Sequence, residues 1–124
     1  MVITMKTFEQ LIDIFYDNAL KSFIIDYNNK NSIRRANNNV DKYRKAAKTI
    51  GLLYPELIEN YINILFNSNK NVALCAAICL VELMPHSKRQ LSMAVQVVEQ
   101  YINDCDEAMQ WGLKQWLQMY GMKE

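Results

Sequence analysis

The chain is poor in the residues that break helices. Three glycines and two prolines in 124 residues leave few obligatory turns, whereas a many-stranded sheet needs a turn signal at almost every strand end. Net charge is missing too. A formal value of +1 predicts no bulk attraction to nucleic acid or to an anionic membrane, although it hides any segregation along the chain. The three cysteines, Cys75, Cys79 and Cys105, are odd in number, and a single histidine, His86, accompanies them. That inventory supports neither a disulfide framework nor a four-ligand zinc site. There is no glycine-rich phosphate loop, nucleophile elbow or pattern of paired carboxylates. No stretch has the charged start, apolar middle and small-residue cleavage site of a signal peptide, and no span crosses a bilayer. A cytoplasmic protein without membrane attachment is expected. Met1 and Met5 both read as possible starts, since residues 2–4 add nothing to the pattern that follows.

What is present is helix. Residues 72–84, VALCAAICLVELM, hold strong helix formers with Glu82 as the one charge, and apolar side chains fall on every face. Such a helix is buried all round, and thirteen residues are too few to cross a membrane, which takes ~20. It reads as the centre of a core with other helices on both its sides.

Those others can be read in order. Thr7 with Gln10 forms a capping box ahead of the stripe Phe8, Leu11, Ile12, Phe15 and Ala19, which predicts a first helix over about 7–22. An asparagine-rich stretch then marks a loop. Ser32 is expected to cap a second helix with Ile33, Ala36, Val40, Tyr43, Ala47 and Ile50 inward, and Gly51 to stop it. Pro55 opens a third, with Leu57, Ile58, Tyr61, Ile62, Leu65 and Phe66 inward. After the central helix and Pro85, Ser87 and Gln90 form a second capping box for a fifth helix, with Leu91, Ala94, Val95, Val98, Tyr101 and Ile102 inward. Asp104 or Asp106 caps the sixth, whose inner face is expected to carry Ala108, Gly112, Trp116 and Met119, with Trp111 and Leu113 close beside it.

Sliding the chain by 36 residues sets Ile58 on Ala94, Ile62 on Val98, Val72 on Ala108, Ala76 on Gly112 and Leu80 on Trp116 without a gap. Helix pairs at about 40-residue spacing are the mark of HEAT or armadillo stacks. The residues that carry a closer likeness are Leu65, Phe66, Asn67, Ser68, Asn69, Asn71, Val72, Ala73, Ala76, Ala77 and Leu80, with Ala108, Leu113 and Trp116 near the end. On them the chain resembles a group of small bacterial HEAT-like helical domains of unknown function, with Ala73 standing where that group usually has arginine. The resemblance implies an all-α, right-handed α-α superhelix of about six helices in a single domain, 1–124. It also implies similarity to immunity proteins encoded beside bacterial toxins, and no catalytic residue.

The remaining constellations favour packing over chemistry. Cys75 and Cys79, four apart, read as core thiols; His86 reads as a turn residue; Asp104, Asp106 and Glu107 suit a helix start. Trp111, Trp116 and Tyr120 read as core aromatics rather than a stacking platform. Charge is more informative. Residues 28–50 hold seven cationic side chains against Asp41 alone, a net +6, while residues 1–27 sum to −2 and residues 51–124 to −3. A basic second helix on a slightly acidic body suits an acidic partner.

The expected surface comprises the polar positions of the second, fourth and sixth helices: Arg34, Arg35, Asn38, Asp41, Lys42, Lys45, Glu82, Gln110 and Lys114. The expected function is non-enzymatic, with no cofactor or metal: an immunity protein that occludes the active site of a cognate toxin domain. The alternative is a nucleic-acid-binding module using the basic helix, less favoured because no exposed aromatic interleaves with its cations. An enzyme with an unrecognised site is the third reading.

Overall fold

A computed structural model describes residues 5–121, so Met1, one of the two possible starts, lies outside the described residues. The protein is all-helical. Helix α1 spans Phe8–Ser22 and α2 spans Lys30–Leu53. A composite segment follows: a 3-10 turn Pro55–Leu57, the single turn α3 (Ile58–Tyr61) and a 3-10 turn Ile62–Phe66. Then come α4 (Lys70–Leu83), α5 (Lys88–Ile102) and α6 (Glu107–Trp116), the last unwinding into a π-turn, Leu117–Gly121.

Both capping boxes form. Thr7 accepts from the Gln10 amide at 3.1 Å while the Gln10 side chain accepts from Thr7 at 2.9 Å, and Ser87 and Gln90 repeat the exchange at 3.1 and 2.9 Å. Helix α4 is central, packing against α1, α2, the turn Ile62–Phe66 and α5. Val72, Ala76, Cys79 and Leu80 within it are wholly buried. Phe15 anchors the core between two tyrosines, 5.4 Å from the ring of Tyr43 and 5.6 Å from that of Tyr61. The Tyr61 hydroxyl meets its bonding need by donating to the Ala76 carbonyl of α4 at 2.8 Å.

Four sequence expectations are corrected. Asn29, not Ser32, caps α2, because its side-chain oxygen accepts from the amides of both Asn31 and Ser32. Ser32 lies inside the helix, buried, and its hydroxyl accepts from the Asp26 amide at 2.8 Å. Gly51 does not stop α2, which continues to Leu53. It is there for close approach, since a Cβ on it would lie 3.1 Å from Met84 Cγ and 3.2 Å from the Leu83 carbonyl oxygen. In the third segment, 3-10 winding at about three residues per turn turns Ile64 inward and leaves Phe66 70% exposed.

The last correction concerns the repeat. The loop before α4 is residues 67–69 and the loop before α6 is residues 103–106, one residue longer. Ile58 and Ala94, and Ile62 and Val98, are buried at the 36-residue offset. Beyond the longer loop the offset becomes 37, matching the caps Asn69 and Asp106 and setting Ala76 on Leu113, the buried residue of α6. One added residue rotates a helix by about 100°. Ala108, Gly112 and Met119 therefore face solvent, while Met109, Trp116, Leu117 and Tyr120 pack on the core.

Candidate functional site

Helix α2 buries Ser32, Ala36, Ala46, Ala47, Ile50 and Gly51, and at 3.6 residues per turn the opposite face collects its charge. Lys30, Arg34, Arg35, Lys42, Lys45 and Lys48 are exposed there, and none forms an ion pair with a described residue. Asn38 and Asp41 share that exposed face.

Arg44, about a quarter turn round the helix from Lys45, behaves differently. Its Nη2 donates to Glu82 Oε1 at 2.9 Å, and the side chains are only 35% and 19% exposed. Burial works against the Arg44 charge, but the hydrogen bond and the carboxylate of Glu82 outweigh it and leave its pKa above the usual value. The other Glu82 oxygen accepts from Trp116 Nε1 at 2.7 Å. The lone carboxylate of α4 thus ties α2 to α6.

Of the nine expected partner residues, the structure gathers Arg34, Arg35, Asn38, Asp41, Lys42 and Lys45 along α2. Glu82 is occupied by Arg44 and Trp116. Gln110 Nε2 donates to the Cys105 carbonyl at 3.1 Å, whereas Lys114 is exposed on α6. Sequence reasoning missed Arg44 and Trp116 as partners of Glu82. The signal was the isolation of Glu82 in an apolar helix, since a carboxylate in such surroundings needs a donor.

The two thiols of α4 are buried. Burial pushes Cys75 up to about 11 and Cys79 further in the same direction, so neither is a thiolate near neutral pH. Among the described residues no three of His, Cys, Asp and Glu group to hold a metal ion. The His86 ring meets the Met84 carbonyl at 3.0 Å through Nδ1. Trp116 lies 5.1 Å from the ring of Tyr120 and both pack on the core, whereas Trp111, expected there with them, is 69% exposed. No helix among the described residues is long and apolar enough to cross a membrane.

Comparison of the chain with protein-family models, with curated proteins and with solved structures finds no match.

Proposed function

We propose that the protein is a non-enzymatic binding module, an immunity protein that neutralises a cognate bacterial toxin domain by covering its active site or substrate groove. The observation that carries this reading is the solvent face of α2, where six cationic side chains stand without an ionic partner among the described residues. A face of one sign raises the rate of encounter with an acidic surface and disfavours basic ones. The scaffold beneath it is preorganised, because Glu82 braces α2 through Arg44, and a surface that need not rearrange loses less on binding.

We take the three helix pairs to stack as a right-handed superhelix of HEAT type, with α2, α4 and α6 as the second helices of each pair. The Arg44–Glu82–Trp116 contact across these three helices supports that arrangement. The test is titration of the protein encoded by the adjoining gene with wild type and with a variant carrying Arg34→Glu, Arg35→Glu, Lys42→Glu and Lys45→Glu. The expected result is inhibition by wild type and a loss of roughly 2 to 5 kcal/mol of affinity in the variant. Steep salt-dependent retention of wild type on DNA or RNA, with no binding to that protein, would favour the nucleic-acid reading instead.

A further inference from the structure

A groove of about 320 Å³ runs between α1 and α2 beside the basic face. Its floor is apolar, made by Leu11 and Ile14 of α1 and by Ala46 of α2, and its rim carries Lys6, Lys42 and Lys45. The groove exists because Ala46 occupies a position where the helices meet but brings only a methyl group. The backbone of Lys6, in the lining, is held in place. The Tyr54 hydroxyl donates to the Lys6 carbonyl at 2.7 Å, and the Tyr54 ring packs edge-on to Phe8 at 6.2 Å, pinning the backbone of Lys6.

Charge in the groove is one-sided. No carboxylate of the described residues lines it, and the three lysines make no ion pair with a described residue. Asp41, a turn before Lys45, stands outside the lining, and Asp17 of α1 is held by Lys21 at 3.0 Å. Thr49, also in the lining, bonds internally by donating to the Lys45 carbonyl at 2.8 Å. At the small end of the range for binding pockets, about 300–1,000 Å³, the space suits an anchoring side chain or two. Lysine stems extend the apolar walls while their ammonium groups stay in water.

We infer that this groove receives an acidic segment of a protein partner, with a large apolar side chain seated between α1 and α2 and flanking carboxylates paired to Lys6, Lys42 and Lys45. The inference rests on the reading of α2 as a protein-binding surface and locates its anchor, the desolvated pocket where binding energy concentrates.

The probe is an acetylated peptide with a leucine–phenylalanine pair between runs of glutamate, titrated into the isotopically labelled full chain and followed by amide chemical shifts. Shifts are expected at Ile14, Ala46 and Thr49. Thr49→Phe fills the groove without altering charge and should weaken the peptide by about tenfold or more. Lys42→Ala with Lys45→Ala should do the same and flatten the salt dependence, and a peptide with serines in place of the apolar pair should bind about tenfold more weakly. Circular dichroism checks that each variant is folded. Undiminished binding by the serine peptide or by folded Thr49→Phe, or no binding of the probe to wild type, overturns the groove. The immunity reading is judged separately by the adjoining-gene titration, so it can stand while the groove falls.

Discussion

The first and last helix pairs are built from the same kinds of parts and held in different ways. In α1 and α2 the buried residues number five and six, in α5 and α6 two and one. Polar clips do more of the work at the far end. Glu59 accepts from both Arg89 and Gln90 at 2.6 Å, Lys70 pairs with Asp104 at 2.7 Å, the Tyr101 hydroxyl donates to Asn71 at 2.6 Å, and Trp116 reaches Glu82. The clips of Glu59 and Asp104 are exposed, and such contacts contribute little individually; those of Tyr101 and Trp116 are part-buried, and buried apolar side chains contribute more. The pair that carries the free positive charge is therefore the firmer one, and opening should begin at the C-terminal pair.

The strongest test acts on α4, against which α1, α2 and α5 pack. Cys79→Asp places an unpaired carboxylate at a wholly buried position and should abolish the cooperative melt followed by circular dichroism, a loss above ~4 kcal/mol. A wild-type melting curve would mean that α4 is not buried. Next, Phe15→Ala in the first pair should cost ~4 kcal/mol and Val98→Ala in the last ~2 kcal/mol in urea titrations. Equal costs would erase the contrast.

A sharper comparison uses one substitution twice. Gly51→Ala forces a methyl group against Met84 and the Leu83 carbonyl and should destabilise by about 1 to 2 kcal/mol. Gly112→Ala, with no atom of the described residues within 4 Å of the added carbon, should stabilise by up to about 1 kcal/mol through helix propensity. Matching signs in thermal melts would contradict the packing described for α2 or α6. The smallest effects belong to Arg34→Glu and Lys45→Glu, each expected to move stability by ~0.5 kcal/mol or less while weakening partner binding.

Legibility in the sequence followed the range of each interaction. Thr7–Gln10 and Ser87–Gln90 are three residues apart, and both helix starts could be read from them. Central burial of residues 72–84 could be read because a helix apolar on every face has no exposed solution. The inner face of α6 could be read only at Trp116, because one residue in the loop 103–106 sets the helix's rotation, and ungapped matching carries the error onward. Phe66 and Ile64 exchanged places through 3-10 winding, which apolar spacing does not report. Glu82 was visible as a lone charge, but Arg44 and Trp116 lie 38 and 34 residues away. The groove has no local signature either, since its floor exists only once α1 and α2 are side by side.

The indole clip also makes the chain its own optical probe. Trp111 is open to solvent, whereas Trp116 donates to Glu82 and packs beside Tyr120, so a collisional quencher should reach the first and largely spare the second. Replacing Trp111 by Phe would leave one emitter at the junction of α4 and α6. Its wavelength would then tell a docked end of the chain from a released one without any attached label.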